Sequence, residues 1–310
     1  MEDKIKNSFI YSFLCKDKYL KDLIILNLKS LIDNKNERKI TIDYNRLRDE
    51  LIFYKYYGVK YNNSSYNINF ILPIILSNTN LNKSENEIIK NIFYYCKVNK
   101  EDVKKYEYIL VGIAYNYLVH KLIKNSNIEF EYLLENIKNH IIEFSFEERM
   151  EKKDIIRFER LRISFIQKID RISDENLEEV NEESIIDGFL RVIYQVYIKD
   201  YEEQSEELKS IKNSILGILD FKIDNIDIEN IDFIKSLSNY LLKLRKYEIN
   251  KKLYNESTHP KELINLNVGD VVYNPILNNI KVIDKKIEGD ILYIKVQSKS
   301  GDYIFRFKRA

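Results

Sequence analysis

Tryptophan is missing from this chain, and glycine, proline, cysteine and histidine are scarce, at seven, three, two and three residues in 310. Each shortage excludes something. So few Gly and Pro leave little material for tight turns, so long regular elements are expected. Two cysteines, Cys15 and Cys96, do not make a disulfide scaffold and match a reduced, cytoplasmic protein. His120, His140 and His259 lie far apart, with no Cys or His partner at ligand spacing, so a zinc motif is missing. A charge excess is also missing. Fifty Lys and Arg face 49 Asp and Glu, and a net charge of +1 draws in neither nucleic acid nor an anionic membrane. No apolar run reaches the ~20 residues that span a bilayer. The N-terminus mixes charges of both signs with a short, broken apolar run, unlike a signal peptide. No phosphate loop, GxSxG or GxGxxG occurs, and no cofactor is expected.

What is present is helical periodicity. Apolar residues recur at helical spacing over 4–15, 19–33, 43–57 (ending at Gly58), 84–96, 100–124, 129–144, 147–172, 184–198, 205–219 and 231–247. Residues 33–38 and 173–183 read as polar loops. Ser84 and Glu87 stand at capping-box spacing. Between Tyr66 and Ser77 the sequence YNINFILPIILS is apolar nearly all round, which predicts a central, fully buried helix. Pro73 fits its first turn, and Ser65, Asn67 and Asn69 stand where caps belong.

After Asn255 the period changes to two, over Val271–Tyr273, Ile280–Ile283, Ile291–Val296 and Tyr303–Phe307. Four or five short strands in ~50 residues predict a small SH3-like or Tudor-like barrel. The expected fold class is therefore mainly α: a helical domain over 1–255, then an antiparallel β-barrel over 262–310. From Asn278 to Ala310 there are eight Lys or Arg against four Asp or Glu. Lys295, Lys299, Arg306, Lys308 and Arg309 alternate with Tyr293, Tyr303, Phe305 and Phe307. Alternation separates bases and aromatics onto opposite faces of a strand. Lys295, Lys299, Tyr303, Arg306 and Lys308 are thus the candidates for binding a macromolecule, either protein or nucleic acid. The plainer reading has the aromatics packing the barrel core and the bases solubilising it.

The helical part resembles a known family. Residues 3–18 (DKIKNSFIYSFLCKDK), 20–32 (LKDLIILNLKSLI), 42–58 (IDYNRLRDELIFYKYYG), 65–76 with Pro73 in register, and 96–120 are similar in order and length to the opening elements of the ADP-ribosylglycohydrolases. Residues 184–198 and 202–219 are the candidates for that family's late helix pair. The resemblance implies an all-α fold and a ligand cleft near Tyr19, Ser65, Tyr66, Asn67 and Asn213. It also implies two magnesium ions held by carboxylates. Here the motif letters differ. The first metal turn reads Lys18-Tyr19-Leu20-Lys21, the late Gly-Gly-Asp-Thr-Asp turn falls on Ser210–Ser214, and the substrate Arg falls on Phe70. A cation would meet lysines, so the expectation is a pseudoenzyme with no catalytic and no metal residues. The rival is an active hydrolase with displaced ligands among Asp43, Asp102, Asp187 and Asp220.

Other constellations have plain readings. Cys96 with His120 has the makings of a nucleophile pair, but a buried thiol and a packed histidine are preferred. Glu147-Glu148 and Asp174-Glu175 with Glu178-Glu179 read as solvated faces. Tyr54, Tyr56, Tyr57, Tyr61 and Tyr66 are placed to stack on a base near the expected cleft, although covering core edges is favoured.

Overall fold

The computed structural model describes residues 1–59, 67–146, 150–173, 184–198, 205–221, 227–250, 252–256 and 258–308. The helices are α1 (Glu2–Tyr11), α2 (Lys18–Ser30), α3 (Tyr44–Tyr57), α4 (Leu72–Ser77), α5 (Leu81–Asn99), α6 (Lys105–Lys124), α7 (Phe130–Glu143), α8 (Lys152–Ser173), α9 (Ile185–Ile198), α10 (Glu206–Ile218) and α11 (Ile231–Arg245). Strands β1 (Leu31–Asn34) and β2 (Lys39–Ile42) form a hairpin, and β3 (Val271–Asn274), β4 (Asn278–Glu288), β5 (Ile291–Ser298) and β6 (Gly301–Lys308) form an antiparallel meander.

The mainly helical architecture matches the periodicity, and several details correct it. The chain's buried centre is α6, which packs against α4, α5, α7, α8, α9 and α10. Its residues from Tyr108 to His120 are all buried. The apolar segment before it is equally buried, but only Leu72–Ser77 is α-helical, after a 3-10 turn at Asn69–Ile71. Pro73 does sit in its first turn. Neither Asn67 nor Asn69 caps it: Ile71 holds the cap position with no side-chain bond. Asn69 instead joins a buried polar network. It donates to Ser210 Oγ at 2.7 Å and accepts from Tyr115 Oη at 3.0 Å.

Helix α5 starts before Ser84. Asn80 caps it by accepting from the Lys83 amide at 3.0 Å, so Ser84 and Glu87 lie inside the helix and the predicted capping box is displaced. Glu87 is used otherwise, accepting from the Ile42 amide at 2.9 Å. The predicted 19–33 helix and the polar break after it become α2 plus the β1–β2 hairpin. Leu31 and Ile42 pair there and bury both side chains, a long-range packing gain that the local helical pattern does not show.

The C-terminal sheet is open. Its order is β3-β4-β5-β6 with no pairing of β3 to β6, so the predicted closed barrel is corrected to a four-stranded meander. A helix closes the core in place of further strands. Phe53 of α3 is fully buried within the sheet's hydrophobic cluster, beside Phe305 at 6.0 Å. Beyond it, Tyr57 meets Tyr303 at 4.8 Å and Phe305 at 5.4 Å, and Tyr56 meets Phe307 at 5.1 Å. Of the tyrosines expected at a ligand cleft, Tyr56 and Tyr57 pack against the sheet and Tyr54 packs on Tyr19 and Tyr57, with Tyr57 also lining a cleft; Tyr61 and Tyr66 lie outside the described residues. No described helix is long and apolar enough to cross a membrane.

Candidate functional site

Where α3 meets the sheet, a cleft of about 330 Å³ remains open. Helix α2 supplies its first wall. Asp17 caps this helix by accepting from the Leu20 amide at 3.0 Å, and Leu20, Leu23 and Ile24 turn into the core. That orientation leaves Lys18, Lys21, Asp22, Ile25 and Lys29, a stripe at helical spacing, along the cleft. Tyr57 and Gly58 lie at the end of α3. A side chain at Gly58 would have its Cβ 2.4 Å from the Tyr54 ring, so the ring would have to shift to admit it. The start of α11 adds Glu229, Asn230 and Phe233, and β6 with its preceding turn adds Tyr303, Ile304 and Arg306.

The electrostatics of the cleft centre on Asp22. Burial pushes its carboxyl up to about 6, against the lowering pull of the Tyr54 phenol and of Lys18 and Lys21. Lys29 is committed to Glu50 at 2.8 Å. Asp302 is committed to Lys295, also at 2.8 Å. Lys18 and Lys21 make no ion pair within 4.0 Å among the described residues.

A second, shallower cleft of about 420 Å³ holds Lys16, Asp17, Tyr19, Val59, Glu206 and Glu207. Burial raises the Asp17 carboxyl, and the Glu207 charge adds to it. Glu206 accepts from the Lys16 amide and pairs with Lys209 at 2.8 Å. Tyr19 of the predicted ligand set borders this cleft. Its companions do not join it. Ser65 and Tyr66 lie outside the described residues. Asn213 donates to the Leu14 carbonyl at 2.8 Å and fixes the turn after α1. Asn67 is completely buried, and neither its Nδ2 nor its Oδ1 has a hydrogen-bond partner.

The acids named as displaced ligands do not converge. Asp43 caps α3, accepting from the amides of Asn45 and Arg46 at 3.1 Å and from the Tyr254 amide at 2.6 Å. Asp187 pairs with Lys168 at 2.6 Å. Among the described residues no three His, Cys, Asp or Glu side chains are grouped to hold a metal ion. The acidic pairs at 147–148 and 174–179 fall outside those residues. Burial pushes the thiols up, to about 11 for Cys15 and about 12 for Cys96, so neither is a thiolate near neutral pH. Burial lowers His120 to about 4, with Arg245 and Lys124 adding. Its Nε2 lies 3.3 Å from Ser84 Oγ.

On the sheet, residues that pair directly share a face. Arg306, Tyr293 and Lys286 form one outward row, and Ile304, Lys295 and Asp284 the next. Lys308 and Lys281 are exposed on the same side. Tyr293 thus stands among the bases. Tyr303 points the other way, onto Tyr57, and so lies on the face opposite the basic row. Lys299 sits in the β5–β6 turn. The stripe on α2 was readable as helical spacing in the sequence, but that it faces a cleft was not.

Compared with models of known families, with curated proteins and with solved structures, the chain gives no match.

Proposed function

We propose that this chain is a non-catalytic binding protein that meets a nucleic-acid strand on the outward face of its C-terminal sheet. One observation carries the reading. The inward face is filled by packing, whereas the outward face sets Tyr293 directly between Lys286 and Arg306, with Lys281 and Lys308 near the strand ends. An aromatic ring flanked by cations stacks on a base while the cations follow the backbone. Lys286 already lies over the Tyr293 ring at 5.7 Å. Two acids, Glu288 and Asp302, offset Lys286 and Lys295, which keeps the face weakly basic and the binding modest.

Fluorescence anisotropy of a labelled single strand tests this. Binding should weaken roughly tenfold between about 50 and about 200 mM salt. It should weaken at least as much in a Lys281→Glu, Lys286→Glu, Lys308→Glu variant. An unaltered affinity in that variant, or no binding at the lower salt, ends the reading and leaves a protein partner for this face.

The helical body fits the same proposal as a pseudoenzyme of the ADP-ribosylglycohydrolase fold. Where that family places carboxylates, Lys18 and Lys21 stand in the open while Leu20 is buried, and Asp17 is spent on a helix cap. The rival hydrolase reading requires tight magnesium uptake. Calorimetric titration with magnesium in the presence of ADP-ribose should give no heat of tight binding.

A further inference from the structure

The cleft beside α2 meets the proposed sheet face at Arg306, and the rest of its lining is used neither by that face nor by a described ligand role. At about 330 Å³ it reaches the lower end of the range for small-molecule sites. Its lining divides into two chemistries. Tyr57, Phe233 and Ile25 offer rings and apolar surface. In the same lining Lys18 and Lys21 are three residues apart on one helix face, the spacing at which two ammonium groups can share one anion. Neither lysine has an ion-pair partner among the described residues. The amino end of α11 also opens here. Asn230 provides no side-chain cap, so the first amides of the helix add positive potential at the same end of the cleft. Opposing charge comes from Asp22, Glu229 and Asp302, the last of these paired with Lys295.

We propose that this cleft binds a small aromatic anion, a phosphate or carboxylate held by Lys18 and Lys21 with its ring against Tyr57 and Phe233. Asp22 sets the strength of that binding. Its charged and titratable neighbours are Lys18 and Lys21 on its own helix, Asp17 at that helix's cap, Tyr54 and Tyr57 on α3 and Tyr303 on β6, with Lys29, Glu229, Asp302 and Arg306 lining the same cleft. Its charge repels the ligand when ionised, so affinity rises as the carboxyl takes up a proton.

The test titrates the full chain with 1-naphthyl phosphate, 1-naphthoate, 1-naphthol and inorganic phosphate, following naphthyl fluorescence or heat. At least one naphthyl anion should bind tenfold or more tightly than naphthol and than phosphate alone, and the preferred one identifies the anionic group. Lys18→Glu with Lys21→Glu should lose at least tenfold for that anion and leave naphthol unmoved; Lys18→Gln with Lys21→Gln gives the same direction without reversed charge. Naphthoate, whose own charge is constant there, should bind more tightly as pH falls through about 6. Asp22→Asn should remove that dependence. No binding of either anion at millimolar concentration, or equal binding by the lysine variants, overturns the proposal. Lys281→Glu with Lys308→Glu should leave the cleft unaffected, so failure of the sheet-face reading and failure here are separable.

Discussion

Arg46 and Glu50 lie one turn apart on α3, with 2.9 Å between guanidinium and carboxylate, and the Glu50 side chain is wholly buried. The same guanidinium donates to the Pro275 carbonyl at 2.7 Å and the Ile276 carbonyl at 3.1 Å. Lys29 reaches Glu50 from α2. One carboxylate thus ties two helices to the β3–β4 turn. Arg46→Met should cost roughly 3 kcal/mol, because it leaves a buried charge half-compensated, the Pro275 carbonyl without this donor and the Ile276 carbonyl with only the long bond from Lys29. Urea unfolding measures this. The double variant Arg46→Met, Glu50→Gln should cost less than the two single changes added together. A single-variant loss below about 0.5 kcal/mol would remove the clamp from this account.

A close backbone approach in the helical body is also open to test. A Cβ on Gly217 of α10 would stand 2.6 Å from the backbone of Asn7 and Ser8 in α1. Backbone cannot yield as a side-chain tip can. Gly217→Ala should therefore destabilise by about 3 kcal/mol or more, despite alanine's better helix propensity. A melting temperature equal to that of the parent would contradict this packing.

Asn67 presents the opposite case. Its amide is fully buried and unbonded, which is costly. Asn67→Leu keeps the size and removes the unmet polar atoms, so it should stabilise by about 1–2 kcal/mol. A destabilised variant would show that the amide is needed.

Two buried groups give stability contributions of opposite sign with pH. Asp22 is held at about 6, above its usual 3.8, so the folded chain binds more protons than the unfolded chain between about pH 4 and 6. Stability therefore falls across that window and stays lower above it. Asp22→Asn should stabilise by roughly 1–2 kcal/mol at neutral pH, after discounting for partial exposure, and little near pH 4. His120 is held at about 4, below its usual 6.5. The unfolded chain then binds more protons over that range, and stability is lost as pH falls from 6.5 to 4. His120→Gln should flatten that loss. Thermal melts of both variants from pH 4 to 7.5 separate the two terms.

Much of the body was legible because burial leaves a period in the sequence. Helices α6 through α11 follow apolar spacing closely, since each buries one face or more against neighbours. The β1–β2 hairpin was hidden because Leu31 and Ile32 continue the helical pattern of α2. What makes them a strand is pairing with Ile42 and Thr41, ten residues on, which no local period records. The caps at Asn80 and Ile71 were misplaced for a related reason. Several polar residues precede each helix, and packing selects which one stands at the boundary. The candidate clefts show the same limit. Of the ligand residues expected from the family resemblance, Tyr19 borders a cleft, Asn213 is half-buried and bound to the Leu14 carbonyl, and Asn67 is interior.

By itself the sequence determined the class of structure: a helical body, then a change to alternating strands, with bases and aromatics concentrated at the end. Those properties follow from local periodicity, which a side chain carries wherever its element is placed. Only the tertiary structure decided that α3 closes the open sheet, that Tyr303 turns inward while Tyr293 stands among the cations, and that Lys18 and Lys21 share a cleft with Phe233. These depend on contacts between residues up to about two hundred and fifty positions apart, and such contacts are set by how whole faces fit together.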